Sequence, residues 1–323
     1  MTETLTRFFL IEEALRAGRP RPDSTGTRFA AAALLPSSRT ATQCNEATRS
    51  RYEALTSGLS GGGWFSSSAP SGNLRWVYAA ILAANDIPAE RFLDARGQLR
   101  EQAKREAGPR LHAGGARAAL VLSISGELSS YTMRRFFELK RALNPPWWRR
   151  NDAVTDTFAA GHAARDDAPE SVKRARDAAI AVFAGNKHAR SHKREGARLS
   201  ALLDRDPHEV LACFDTLETA RRTSAYLKHR SDRSLTMEWA VQGMTREDLA
   251  AIKDIMQALP RHMTSAGHAK ARLAYLVHTT GGADLPLGSV NALSAVLAAQ
   301  AAMIAAITAS TTAATSAAVT SGS

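Results

Sequence analysis

The chain has 323 residues and a mass of 34.7 kDa, with 44% apolar and 23% charged residues and a formal net charge of +11. That apolar content excludes a disordered polymer, two cysteines exclude a disulfide-stapled scaffold, and 6% aromatics beside abundant alanine favour close-packed helices over sheet. The charge is uneven, 22 Lys/Arg against 13 Asp/Glu in residues 1–150 and 20 against 18 in residues 151–323, so the first half suits an acidic partner, although arginine-rich helix faces also simply solvate a protein.

At the N-terminus Phe8-Phe9-Leu10-Ile11 is too short for the core of a signal peptide and is closed by Glu12-Glu13. We therefore expect a cytoplasmic protein, with Cys44 and Cys213 reduced and in no ligand or redox motif. From there on one phrase recurs, an arginine or polar residue followed by small and aliphatic ones. It reads Arg28-Phe29-Ala30-Ala31-Ala32-Ala33-Leu34, then Arg75-Trp76-Val77-Tyr78-Ala79-Ala80-Ile81, then Arg117-Ala118-Ala119-Leu120-Val121-Leu122. A weaker Thr157-Phe158-Ala159-Ala160 follows, then Arg198-Leu199-Ser200-Ala201-Leu202, Met237-Glu238-Trp239-Ala240-Val241 and Arg272-Leu273-Ala274-Tyr275-Leu276. The steps between phrases are 47, 42, 40, 41, 39 and 35 residues, the period of stacked helical hairpins.

Each phrase is apolar around its circumference and so predicts a buried inner helix. Amphipathic partners lie between the phrases. Asn85-Asp86-Ile87-Pro88 starts one over 89–106, with Phe92, Leu93 and Leu99 inward; Asp206-Pro207 caps another that carries Leu211, Phe214 and Leu217. Thr245 with Asp248 caps a third, with Leu249, Ile252, Ile255, Met256 and Leu259 on one face. No stretch alternates as a strand would. Two breaks stand out: the glycine–serine stretch 58–72 with Trp64 and Phe65, and the double-proline turn at Pro145-Pro146. The second divides the chain into a basic half, 1–150, and a second half, 151–308, followed by a polar tail, 309–323.

From Leu285 to Ser323 there is no charge, and 289–307 is long enough to cross a bilayer. It lacks basic or aromatic anchors at its edges, so it reads as a buried alanine-rich helix or a seam between copies of the chain rather than a membrane span. This ending (Ala298-Ala299-Gln300-Ala301-Ala302-Met303-Ile304-Ala305-Ala306-Ile307), with the small-residue phrases, resembles an uncharacterised bacterial family of all-helical proteins catalogued as a domain of unknown function. The resemblance implies an all-helical fold and brings no activity and no site residues.

Candidate chemistry is sparse. His188 and His192 are spaced as a two-histidine metal site on a helix would be, but Ala189 stands where a metalloprotease has glutamate, and neighbouring cations oppose a metal; we expect no metal and no cofactor. The same run reads better as an anion-binding segment: Lys187, His188, Arg190, His192, Lys193, Arg194 and Arg198. Trp147, Trp148, Arg149 and Arg150 could stack on bases, or fill the gap between helical layers. Asp152, Asp156, Asp166 and Asp167 are the nearest approach to paired carboxylates. Together these predict an all-α protein of about seven degenerate hairpins, stacked as a solenoid or closed as an α/α toroid. The leading expectation is a non-catalytic scaffold for an unknown protein or acidic macromolecule. The alternatives are a nucleic-acid-binding protein using the basic segments and a toroid enzyme with converging carboxylates of perturbed titration in a central cavity.

Overall fold

The computed structural model describes residues 3–59, 70, 72–106, 110–125, 128–144, 152–231, 233–260 and 267–280. Among them are fourteen α-helices, a short 3-10 turn at His112–Gly115 and no strand, so the protein is all-α as expected. In chain order the helices are α1 (Glu3–Arg16), α2 (Ser24–Leu34), α3 (Ala41–Leu59), α4 (Gly72–Ala84), α5 (Ala89–Arg105), α6 (Ala116–Ser125) and α7 (Ser130–Leu143). They continue as α8 (Asp152–Ala164), α9 (Pro169–Ala184), α10 (Lys193–Leu202), α11 (Pro207–Thr223), α12 (Arg233–Val241), α13 (Arg246–Ala258) and α14 (Gly267–Thr280). The stretch 60–69, the double-proline boundary with its two tryptophans, and the uncharged end from 285 onward lie outside the described residues.

Every recurring phrase falls in an even-numbered helix. Leu235 to Val241 of α12 are all buried, as are the residues from Lys270 to Val277 of α14. The odd-numbered helices are amphipathic and bury one stripe, such as Met133, Phe136, Phe137 and Leu143 of α7 or Leu249, Ile252, Ile255 and Met256 of α13. Alanine and glycine let the buried helices approach closely. A Cβ added at Gly196 of α10 would stand 2.7 Å from the Met237 sulfur and 3.0 Å from the Phe183 ring, so this residue sets α10 tightly between α9 and α12. Each odd helix packs on the even helix that follows it, α2 packs on α4 and α6 on α8, and α14 packs against α1 and α2.

Five of the six even-to-odd connections are four residues long, and four of these share one geometry. Asp86, Asp166, Asp204 and Gly243 have φ of 57°, 58°, 51° and 72°, the left-handed residue that ends a helix by returning its last carbonyls to the next N–H groups. The N–H of Ile87 accordingly donates to Leu82 O (2.9 Å), Asp167 to His162 O (3.0 Å), Arg205 to Ser200 O (2.9 Å) and Met244 to Trp239 O (3.1 Å). Side-chain caps then start the next helix: Asp206 accepts from the His208 N–H, with Pro207 in the first turn, and Thr245 forms a capping box with Asp248. The odd-to-even connections run from seven to twelve residues.

Candidate functional site

Bonds tie connections of each class to their own kind or to the helix ends beside them, which sets the two classes at opposite ends of the molecule. At one end the Asn73 side chain bonds the backbone N–H and carboxylate of Asp23 (3.1 and 2.8 Å), and Lys140 Nζ donates to Arg110 O (2.6 Å). At the other end Arg39 pairs with Asp86, the Tyr131 hydroxyl donates to Asp166 (2.8 Å), and Arg165 donates to Leu202 O.

The ends differ in charge. Among the described residues, the odd-to-even connections carry Arg19, Arg21, Arg110, Lys187, Arg190, Lys228 and Arg230 against Asp23 and Glu106. All seven cations are exposed. None of them forms an ion pair with another described residue; Arg230 stacks on the Tyr226 ring, 4.1 Å from its centroid. The even-to-odd connections carry Arg39, Arg165 and Arg205 against Asp86, Asp166, Asp167, Asp204 and Asp206, and Arg39 and Arg165 are paired with Asp86 and Asp167. The odd helices extend the same split, with acids such as Glu90, Glu170 and Glu209 in their first turns and bases such as Arg16, Lys104, Arg105 and Arg222 in their last, the arrangement that each helix dipole favours.

The segment 187–198 lies at the basic end, but its shape differs from the helix that its histidine spacing suggests. Asn186 accepts the N–H groups of His188 (2.8 Å) and Ala189 (3.1 Å) and anchors its own amide on Asp215. Residues 187–192 are therefore a turn, with Ala189 as its buried plug and α10 starting only at Lys193. His188 and His192 do not share a helix face. Lys187, Arg190 and Arg194 are exposed; His188, His192, Lys193 and Arg198 are half-buried. Burial pushes the Arg198 guanidinium below its ordinary pKa and the charge of Arg176 pushes it further; Glu195 opposes them, and Arg194 adds a smaller push down. Trp147, Trp148, Arg149 and Arg150 lie outside the described residues.

Beneath the surface, four carboxylates are buried with basic partners. Glu12 bonds Arg28 (3.0 Å) and Arg16; Asp156 takes Lys140, with neither side chain exposed, and also the His112 N–H (2.8 Å). Glu218 holds Arg221 and Arg233, and Glu238 holds Arg272 through two 2.7 Å bonds. Asp156 is thus a structural anchor rather than half of a surface carboxylate pair with Asp152, whose side chain is not described. Asp166 and Asp167 are spent on Tyr131 and Arg135, and on His162 and Arg165.

Glu238 is strongly perturbed. Burial raises its carboxyl to about 7 against the opposing pull of Arg272, and a shared hydrogen bond with Glu195 adds to the rise. The Ser234 hydroxyl donates to Glu195 in turn, and the buried Tyr275 hydroxyl, held far in its neutral form by burial, lies in the field of the same group. The sequence did not single out these residues; the arginine at the head of five of the seven recurring phrases was the available signal, because Arg28 and Arg272 both turn out to hold a buried acid. Arg19, Arg21, Arg110, Lys228 and Arg230 were missed because they are scattered over separate connections.

Among the described residues no group of His, Cys, Asp and Glu is placed to hold a metal ion, and no helix is long and apolar enough to cross a membrane. Cys44 is buried, Cys213 half-buried, and both are free. No family model, no curated protein and no solved structure matches the chain.

Proposed function

We propose that the chain is a toroid of seven helical hairpins whose basic end is a non-catalytic docking surface for an acidic macromolecule. Closure into a ring is supported by the packing of α14 on α1 and α2, which would join the last hairpin to the first. The hairpin reading is supported by the regular alternation of mostly buried helices with amphipathic ones. The observation that carries the function is the set of seven exposed cations on the odd-to-even connections that form no ion pair among the described residues. Cations left without counter-charges at one end raise the local potential and draw in an anionic partner. The end rather than the middle is the surface we assign, because the even helices are buried around most of their circumference. Two free cysteines fit a reducing compartment, and we assign the protein to the cytoplasm on that ground.

The test is fluorescence anisotropy of labelled single-stranded DNA, RNA and polyglutamate at about 50 and 200 mM salt, since a phosphate-binding protein loses affinity steeply over that range. The expected result is binding at low salt that collapses at high salt and is weakened in the K187E/R190E and K228E/R230E variants. Absence of binding to all three polyanions at low salt would retire the proposal.

A second reading, an acid–base enzyme, draws on Glu195 and Glu238, two carboxyl groups sharing a hydrogen bond beside Arg272. That reading requires a small molecule that raises the melting temperature of the native protein and fails to do so in E238Q.

A further inference from the structure

The even helices meet one another in two ways. α2 lies close along α4 and α6 along α8, and Gly196 sets α10 tightly against Met237 of α12. α12 and α14 instead meet mainly through long side chains. Arg272 of α14 reaches Glu238 of α12 with two 2.7 Å bonds, and the Trp239 and Tyr275 rings meet edge to face, 6.4 Å between centroids. Tyr275 lies one turn from Arg272, so the charged and the aromatic contact share one face of α14. Glu238, Trp239 and Tyr275 are all buried. Yet Trp239 Nε1 and the Tyr275 hydroxyl have no hydrogen-bond partner among the described residues. A buried polar atom without a partner is costly and rare in a folded protein, and here two occur across a single ring contact. Phenylalanine at position 275 would fill nearly the same space without that cost. The polar chain continues from Glu238 to Glu195, which accepts from the Ser234 hydroxyl. Glu195 and Ser234 are half-buried, so the cluster reaches the surface at the starts of α10 and α12.

We infer that the interface between α12 and α14 is a binding slot for a small uncharged amide or lactam, whose carbonyl oxygen accepts from Trp239 Nε1–H and the Tyr275 O–H and whose N–H donates to Glu238. A carbonyl oxygen has two lone pairs and takes both donors at once. The Glu238 oxygens, each bonded once by Arg272, keep lone pairs for the neighbouring N–H. A planar amide also lies flat between ring walls. The charge of the cluster selects a neutral ligand. The hydrogen bond shared by Glu195 and Glu238 holds one proton between two carboxyls, so with Arg272 the group sums to zero. An anion or cation would enter as an uncompensated buried charge, and an ammonium has no acceptor to offer the two unpartnered donors. The slot goes beyond the docking proposal, shares no residue with it, and stands whether or not Glu195 and Glu238 do acid–base work.

The experiment adds pyrrolidone, uracil or nicotinamide to the full chain at millimolar concentration, with glucose, ethanolamine and acetate as contrasting chemistries. Two quantities are read: the calorimetric melting temperature, and the indole N–H resonances of the five tryptophans in a proton–nitrogen correlation spectrum. The Trp239 resonance is identified by its loss in W239F. In the expected result at least one of the three amides raises the melting temperature, because it binds only the native state, and shifts the Trp239 resonance while the contrasting compounds do neither. Without ligand Y275F melts no lower than wild type, since it discards an unpartnered hydroxyl. It binds the amide about tenfold more weakly, the effect of one lost hydrogen bond. The inference is overturned if none of the three amides moves the Trp239 resonance, if glucose, ethanolamine or acetate acts in their place, or if Y275F keeps wild-type affinity. A ligand-free Y275F that melts below wild type also overturns it, because the hydroxyl then already has a partner such as an ordered water.

Discussion

The two ends of this molecule are built on different terms. At the acidic end, four short connections repeat one left-handed turn and return the last carbonyls of their helices to backbone N–H groups, and two of the three arginines at that end are paired with aspartates. At the basic end the connections are longer, differ from one another in length and sequence, and among the described residues leave seven cations exposed and free of ion pairs. Short turns with satisfied hydrogen bonds fix geometry at little entropic cost, whereas longer connections cost slightly more to order and are free to carry side chains for other purposes. The contrast teaches that the acidic end is where this chain spends its residues on holding helices, and the basic end is where it has residues left over.

The strongest way to break that contrast is to attack the buried anchor under the basic end. Lys140→Met leaves the Asp156 carboxylate buried with its main counter-charge gone, and urea denaturation is expected to show a loss of about 3–5 kcal/mol. Replacing both partners at once, K140M/D156L, should recover most of it, because the paired desolvation cost disappears along with the pair. A pH series sharpens the comparison next. The carboxyl of Glu238 is raised to about 7 in the folded chain from an ordinary value of 4.5, so its contribution is fully present below about 4.5 and is lost as pH rises toward and through about 7. The melting temperature should therefore drift downward across that window and drift less in E238Q. Carboxyls lowered by their partners, such as Glu218 beside Arg221 and Arg233, act oppositely and weaken the fold only in stronger acid.

Smaller effects belong to the acidic end. Gly243 has φ of 72°, so Gly243→Ala is expected to cost about 1 kcal/mol through backbone strain. Asp204 has φ of 51° in the equivalent turn and forms no ion pair among the described residues, so Asp204→Gly should raise stability by about a few tenths of a kcal/mol at most. Thermal melts of the two variants side by side check both signs. If Asp204→Gly destabilises, the turns are not equivalent and the comparison between ends loses its simplest support.

The helices were legible in the sequence for local reasons. The phrases of small and aliphatic residues mark the even helices, and the caps at Asp206-Pro207 and at Thr245 with Asp248 set boundaries to the residue. The buried ion pairs were not legible, because Glu12 and Arg28 lie in successive helices and Glu238 and Arg272 are 34 residues apart. Which acid meets which arginine depends on how neighbouring helices are set against each other, and no periodicity within one helix encodes that. The basic run was visible as charge, yet its histidines mimicked helical spacing until the Asn186 side chain turned the chain. The basic end as a whole was invisible for a simpler reason: its residues come from connections scattered along the chain, and they become neighbours only once the helices pack.

The packing of α14 on α1 and α2 also sets a schedule. A ribosome adding about 5–20 residues per second takes roughly 10–50 s to travel from the end of α2 to the end of α14. Through that interval the flank of α2 that α14 will cover has no partner from its own chain. Nascent protein therefore leaves the tunnel with an uncovered apolar seam that local helix formation cannot close, and this is the surface on which a chaperone, or another unfinished copy, has its opportunity.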